Sequence, residues 1–209
     1  MKFSYNHLIN YIDDKPDIKS LSENLFHLGH EHEINGDIID LELTPNRGDC
    51  LSLIGLLRDL NLFYEINNFK EIYDKDINQL DFIFDNNAID ICPKISFLQI
   101  DIESIPENFS PEIENYFSEM GIKKNNFFTD ISNYISYETG QPTHCYEAKS
   151  IQSGLKLDFL KNRQQFKTLI GKSIEIDRGE LVFLNNESKV VNLAGVVGSE
   201  STSCNKNTK

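Results

Sequence analysis

The spacing of apolar residues switches repeatedly along this chain between the helical period of three to four and the strand period of two. Helical spacing is found around residues 20–28, 49–63, 111–120 and 128–139, and short alternating runs dominate residues 155–193. The pattern predicts an α+β fold, with a small N-terminal α+β domain followed by an α/β domain of mixed short strands.

A polar segment rich in Asn and Asp, residues 64–89, separates the two regular parts of the sequence. We interpret it as a short strand plus a linker. The predicted domains are therefore residues 1–88 and 89–209. The second domain is expected to open with short strands at 91–93 and 97–102.

Local signals predict where individual elements begin. Ser20 and Glu23 have the spacing of a capping box, and Asp49 is placed to cap a helix that runs to about residue 63. Ser110, followed by a proline and a glutamate, predicts another helix start. The Asn35-Gly36 pair lies between two strand-like runs and predicts a hairpin.

Charge and apolar content limit the possible functions. The chain has 20 basic and 33 acidic residues, a net charge of −13, which argues against binding nucleic acid through a broad basic face. The longest apolar stretches, such as 51–57, are far shorter than a membrane span. The first residues carry no apolar export signal, so the cytoplasm is the expected location.

Nothing in the sequence has the spacing of a metal site. The four cysteines match neither a zinc ribbon nor a small disulfide scaffold. His27, His30 and His32 lack the fixed helical spacing of zinc-binding histidine pairs, so we interpret them as polar surface residues of a hairpin. We therefore predict no metal ligands in this chain.

A dense polar turn follows the predicted hairpin, between residues 44 and 52. Arg47 and Asp49 are expected to form an ion pair there, with Asn46 in the same turn. The turn is either an interface or ligand loop, or a self-contained structural turn that only starts the next helix.

Two nearby segments combine amides, a hydroxyl and an imidazole. Ser132 and Asn133 lie on a predicted helix, while Gln141 and His144 follow on the loop after it. If the loop folds back, Asn133 and His144 share a pocket that could orient a water or hold a ribose. The set contains no Ser-His-Asp relay and no paired carboxylates.

A third segment, residues 193–198, has glycines at 195 and 198. Glycine lets the backbone approach a ligand closely, and backbone N–H groups there could hold an oxyanion. The alternative interpretation is an ordinary turn between two strands.

Four motifs together resemble one family, the β subunit of bacterial phenylalanyl-tRNA synthetase. Leu43–Ser52 resembles its N-terminal domain, and the three motifs of its editing domain are matched in order by Asp130–Tyr134, Gly140–His144 and Leu193–Gly198. The resemblance covers essentially the whole chain. It implies the N-terminal portion of a phenylalanine–tRNA ligase β subunit, with structural and editing roles.

The resemblance also implies roles for individual residues. In this family the editing domain hydrolyses tyrosine wrongly attached to tRNA(Phe). Carried over by position, His144 and Asn133 are the catalytic positions. The substrate-binding positions are Ser132, Gln141, Pro142, Gly195 and Gly198, and the structural motif comprises Asn46, Arg47 and Asp49.

Partners and cofactors follow from the same resemblance. The expected partners are the synthetase α subunit, the remainder of the β subunit and the acceptor end of tRNA(Phe), with no membrane. No cofactor is expected in this chain, because ATP and magnesium are implied only for the complete enzyme.

The sequence departs from the family in two places that bear on function. Glu33 and Leu43 are joined by a short turn where many bacterial members insert a tRNA-binding OB domain. The family's tyrosine-sensing glutamate would lie beyond Lys209, so we expect an editing domain truncated at its C-terminal side. The alternatives are a free-standing trans-editing deacylase or a degenerate, non-catalytic binding module.

Overall fold

A computed structural model describes residues 1–67 and 76–209, which divide into two compact units. The first unit combines residues 1–75 with 106–143, and the second combines residues 76–105 with 144–209. Helices and strands occur together in the chain, which confirms the predicted α+β class. Each of these units combines two separate segments of the chain, whereas the predicted domains were the continuous ranges 1–88 and 89–209. The predicted boundary near residue 88 stays a prediction.

The first unit packs helices against a small antiparallel sheet of strand order β1-β3-β2. Its elements are β1 (Lys2–Ser4), α1 (Tyr5–Leu8), α2 (Ile18–His27), β2 (Glu31–Asn35), β3 (Ile38–Glu42), α3 (Leu53–Leu60), α4 (Pro111–Glu119) and α5 (Phe127–Thr139). Asn35 pairs with Ile38, and Gly36 adopts φ 62° between β2 and β3. The hairpin predicted from Asn35-Gly36 is therefore confirmed.

The core of the first unit is built from apolar residues of all its helices and of β1 and β3. Leucines of α2 and α3 belong to the same buried cluster as aromatic rings of α4 and α5. Its buried members are Phe3, Leu8, Ile12, Leu21, Leu25, Ile39, Leu41, Leu53, Leu56, Leu57, Leu60, Tyr116, Phe117, Tyr134 and Tyr137.

The second unit is built mainly from short strands, as the alternating runs predicted. Its strands are β4 (Phe84–Asn86), β5 (Leu155–Phe159), β6 (Gln164–Lys167), β7 (Ser173–Ile176), β8 (Leu181–Leu184), β9 (Val190–Leu193) and β10 (Val197–Gly198). Five of them form a sheet of order β10-β9-β8-β5-β4, in which only the β4–β5 pair is parallel. Strands β6 and β7 form a separate antiparallel hairpin.

Two predicted helix starts are wrong in their details. Helix α2 begins at Ile18, and Asp17 caps it by accepting a hydrogen bond from the Ser20 N–H at 2.8 Å. Helix α3 begins at Leu53 and is capped by Ser52 instead of Asp49. In both cases a neighbouring polar side chain satisfies the unpaired N–H groups of the first turn.

The predicted strands at 91–93 and 97–102 are also wrong, because these residues have no strand structure. Phe97 instead packs against Phe82 and Phe84, with ring centroids 4.9 Å away in both cases. Aromatic contacts therefore hold this segment where we expected a backbone ladder. The predicted strand and linker at 64–89 includes residues 68–75, which lie outside the described part of the chain.

None of the helices in the described residues is long and apolar enough to cross a membrane. The cytoplasmic location stays a prediction.

Ser52→Ala should lower the free energy of unfolding by about 1 kcal/mol, because Ser52 Oγ accepts from the Gly55 N–H at 3.0 Å. Ser110→Ala is the matched control, since the Ser110 side chain makes no capping bond to α4 in the described structure. Urea unfolding of both variants measures the difference. Equal losses in the two variants would contradict the capping role of Ser52.

Candidate functional site

The seven residues predicted to form the pocket divide between the two units. Those in the first unit are Ser132, Asn133, Gln141 and Pro142, and those in the second are His144, Gly195 and Gly198. The catalytic and substrate-binding roles assigned to these residues stay predictions.

In the first unit, Ser132 fastens the loop that follows α5. Its Oγ donates to the Thr143 carbonyl at 2.7 Å, and Thr143 Oγ1 donates to the Ser132 carbonyl at 2.9 Å. Gly140 ends α5 with φ 74°, which turns the chain back toward the helix. The predicted return of this loop to α5 is therefore confirmed, and the Ser132 hydroxyl is used to hold it.

Asn133, Gln141 and Pro142 are exposed. Consecutive helical residues point about 100° apart, so Asn133 faces outward where Ser132 faces inward. The Gln141 backbone N–H donates to Thr139 Oγ1 at 3.1 Å, which shapes the loop and leaves the amide side chain outward. Asn133 and Gln141 therefore present amides that a ligand can reach.

In the second unit, the imidazole of His144 lies against the backbone of Gly198. A Cβ atom built on Gly198 would overlap the imidazole ring at Cε1 and Nε2, and would lie 3.2 Å from Nδ1. The histidine ring thus occupies the space that a side chain at position 198 would need. The structure brings these two predicted residues together, and glycine is required at 198 for that reason.

The Nε2 atom of His144 is buried and has no hydrogen-bond partner among the described residues. Burial lowers the pKa of His144, so its imidazole is neutral at pH 7. Buried polar atoms without a partner are rare in folded proteins and call for an explanation. A neutral imidazole nitrogen of this kind can accept a hydrogen bond from a water or a hydroxyl, or donate one to an oxygen.

The glycine-rich segment forms the turn between β9 and β10. Gly195 has φ 74°, and no described atom lies within 4 Å of a Cβ built there. The turn is closed by a hydrogen bond from the Val196 N–H to the Leu193 carbonyl at 2.9 Å. The segment is therefore a turn between strands in which Gly195 leaves open space beside the backbone, and its ligand-binding interpretation stays a prediction.

The polar turn of the first unit contains the predicted ion pair. Arg47 donates from Nε to Asp49 Oδ1 at 3.1 Å and from a terminal nitrogen to Oδ2 at 3.2 Å. These bonds hold the pKa of Asp49 well below its usual range. Asn46 is exposed in the turn that the Arg47 N–H closes on the Thr44 carbonyl at 2.9 Å.

Arg47 also contacts a group that resembles a metal site. Ligand atoms of His30, Cys50 and Asp59 lie within 4.8 Å of one another. A guanidinium nitrogen of Arg47 lies 2.8 Å from Cys50 Sγ and bonds Asp59 Oδ2, so a cationic side chain already occupies the group. The prediction of no metal ligands is untested, but this arrangement places Arg47 where an ion would compete with it.

Asp59 connects the turn to the hairpin. His30 Nε2 lies 3.1 Å from Asp59 Oδ2, and His30 is buried. Burial would raise the pKa of Asp59, but hydrogen bonds from Arg47 and His30 outweigh it and the pKa is lowered. The interpretation of His30 as a surface residue is therefore wrong, because its contact with Asp59 depends on α3 packing against the hairpin.

Sequence reasoning missed two residues that shape these sites. Gly55 approaches the Asp49 carbonyl so closely that a Cβ atom would overlap it. Tyr146 packs against His144 with ring centroids 4.5 Å apart. Gly55 resembles any helix glycine in sequence, and Tyr146 resembles any strand aromatic, so no local signal marks them.

Comparison with known proteins bears on the same residues. The model of the B3/4 domain family matches residues 102–209. Similar curated proteins are the phenylalanine--tRNA ligase beta subunits of Bartonella henselae (29% identical over 184 residues) and Bartonella quintana (30% over 185 residues). The matches cover 84% of this chain and 22% of each relative, so the chain spans about a fifth of their length.

A solved structure is also similar, an N-terminal fragment of the phenylalanyl-tRNA synthetase beta-subunit from Pyrococcus horikoshii. It is 13% identical, with a TM-score of 0.47, and the match covers 100% of this chain and 65% of that chain. A likeness this distant adds nothing to the fold described above.

All the residues predicted for the pocket, from Ser132 to Gly198, lie inside the stretch that the family model matches. The resemblance to the synthetase β subunit, drawn from four short motifs, is confirmed by the names of the curated relatives. Because the family model covers more than half of its residues, this chain belongs to the B3/4 domain family.

Proposed function

We propose that this chain provides the N-terminal structural and editing portion of a phenylalanine–tRNA ligase β subunit, and that its editing reaction hydrolyses Tyr-tRNA(Phe). The observation that carries the proposal is the buried Nε2 of His144, which has no hydrogen-bond partner in the described part of the chain and lies beside the Gly198 backbone, within the B3/4 match. The names of the curated relatives support the choice of amino acid and tRNA.

The need for editing has a simple physical basis. A hydrophobic pocket cannot strongly reject an analogue that only adds a hydroxyl, so discrimination stalls at about a hundredfold. Tyrosine differs from phenylalanine by one hydroxyl. A second site that removes tyrosine from tRNA(Phe) supplies the missing selectivity.

In the proposed reaction a water attacks the ester carbonyl that joins tyrosine to the terminal ribose. The water oxygen bonds to the carbonyl carbon, the bond from that carbon to the ribose oxygen breaks, and a proton of the water passes to the ribose oxygen, so that tyrosine and free tRNA are released. His144 Nε2 accepts a hydrogen bond from the water or a ribose hydroxyl of the substrate. Backbone N–H groups near Gly195 and Gly198 stabilise the oxyanion.

The net charge of −13 fits a synthetase in which other parts bind most of the tRNA. An acidic surface repels the tRNA backbone, so this portion alone should hold only the acceptor end, and weakly. The proposed partners are therefore the α subunit and the remainder of the β subunit, in the cytoplasm. ATP and magnesium belong to the aminoacylation reaction of that complete enzyme.

The test is deacylation of Tyr-tRNA(Phe), with Phe-tRNA(Phe) as the competing substrate. The chain is assayed alone and after co-expression with an α subunit and the rest of a β subunit. His144→Ala should slow tyrosine release by at least about tenfold, because a positioned hydrogen-bonding group is lost. His27→Ala, which alters an exposed histidine of α2, should leave the rate unchanged.

Two results would contradict the proposal. One is an equal rate for the unmodified chain and His144→Ala in both preparations. The other is release of phenylalanine as fast as tyrosine, since an editing site must spare the correct product.

A further inference from the structure

Three side chains of the second unit gather on one face of the β9–β10 pair. Gly198 of β10 is directly opposite Asn192 of β9, and directly opposed residues of antiparallel strands project to the same face. The His144 imidazole occupies the position of the missing Gly198 side chain. It therefore lies on the face from which Asn192 projects, next to that amide.

Tyr146 completes this group. Its ring meets the His144 imidazole edge to face, with an interplanar angle of 76° and centroids 4.5 Å apart. Its hydroxyl lies within hydrogen-bonding reach of the Asn192 side chain, which is 5% exposed. The imidazole thus has the Gly198 backbone on one side and the Tyr146 ring on another. The Tyr146 hydroxyl in turn contacts Asn192, the residue opposite Gly198.

The backbone and the core hold Tyr146 in place. Tyr146 forms an antiparallel bridge with Ser203, and the next N–H, of Glu147, donates to the Thr202 carbonyl at 3.0 Å. The Tyr146 ring packs against a core cluster that includes Ile151 and Val191. Tyr146 is therefore held in place by backbone and core contacts, whereas no described residue forms a hydrogen bond with His144 Nε2.

We propose that Tyr146, anchored by Asn192, is the positioning residue that fixes the plane of the His144 imidazole over Gly198. The catalytic role of this contact rests on the proposed editing function, whereas the contact itself does not. In a hydrolytic site the consequence is a fixed direction for Nε2 toward the water or the ribose. Displacing a catalytic group by about 1 Å can cost roughly a hundredfold in rate.

The test compares Tyr146→Phe, Asn192→Ala and the double variant. Tyr146→Phe keeps the ring and removes the hydroxyl, while Asn192→Ala removes the partner and keeps the tyrosine. Each should raise the pKa of His144 toward its ordinary value of about 6.5, because a loosened ring gains access to water. NMR titration of the imidazole measures this without any substrate.

The kinetic readout separates positioning from substrate binding. Each single variant should lower kcat for Tyr-tRNA(Phe) by about tenfold to a hundredfold with little change in KM. The double variant should be no slower than the slower single variant, because both changes remove one interaction.

A matched control exists in the first unit, where Asn24 Nδ2 donates to the Tyr64 hydroxyl at 2.7 Å. Tyr64→Phe removes a comparable tyrosine–asparagine bond and should change neither the His144 pKa nor kcat. Near-identical circular dichroism of all variants establishes that they fold.

The outcomes distinguish the two proposals. An unchanged His144 pKa in both single variants, or effects that add in the double variant, would overturn the role of Tyr146. If the variants shift the pKa while the unmodified protein releases no tyrosine in any preparation, Tyr146 still positions His144 and the editing function fails. If Tyr146→Phe is unstable, Asn192→Ala alone decides, since it leaves the Tyr146 ring in the core.

Discussion

Gly198→Ala should displace the His144 imidazole and lower the free energy of unfolding by about 1–3 kcal/mol. The added methyl would overlap Cε1 and Nε2 of the ring, which has no room to remain in its present position. The displaced imidazole should lose its buried environment, so its pKa should rise toward 6.5. Denaturant unfolding and NMR titration measure the two effects, and editing activity should fall as far as in His144→Ala.

A double variant isolates the cause of this effect. If the clash with the imidazole is responsible, His144→Ala should restore most of the stability lost in Gly198→Ala, because alanine leaves space for the new methyl. Gly48→Ala is the control, since no described atom lies within 4 Å of a Cβ built there. Losses that simply add in the double variant would show that the clash is not with His144.

Gly55→Ala should be the most damaging glycine substitution in the first unit, at about 3 kcal/mol of unfolding free energy. A Cβ at this position would overlap the Asp49 carbonyl oxygen and would lie 2.9 Å from the Asp49 carbonyl carbon and 3.0 Å from Ser52 Oγ. A side chain such as His144 can rotate away, but a backbone carbonyl moves only with its turn. The shift should therefore disturb the Arg47–Asp49 pair as well.

Gly48→Ala again serves as the control, because Gly48 lies in the same turn and has no left-handed φ. Its free energy of unfolding, measured in urea, should differ from that of the unmodified protein by only a few tenths of a kcal/mol, as is usual for exposed positions. Equal midpoints for Gly55→Ala and the unmodified protein would refute the backbone contact. A loss confined to Gly55→Ala would establish it.

Regular elements with strong local signals could be predicted from the sequence. The hairpin around Asn35-Gly36, the start of α4 at Pro111 and helix α5 all follow from residue spacing and turn chemistry. Errors arose where two nearby polar residues competed for one role. Asp17 and Ser52 cap helices that we assigned to Ser20 and Asp49, because cap geometry depends on where the preceding chain arrives.

Part of the candidate site was also accessible from the sequence. The resemblance assigned His144 and Gly198 to one predicted pocket, and the structure places them in direct contact. The ion pair of Arg47 and Asp49, two residues apart, could be predicted because the turn itself brings the charges together.

The sequence by itself determined the fold class, the family resemblance and the local turns, since these depend on residues close together along the chain. Only the tertiary structure decided that Tyr146 contacts both His144 and Asn192, that His30 reaches Asp59, and that Gly55 must lack a side chain. Those contacts join residues that are distant in sequence or depend on the path of the backbone. Their side chains carry no signal of the partner until packing brings the elements together.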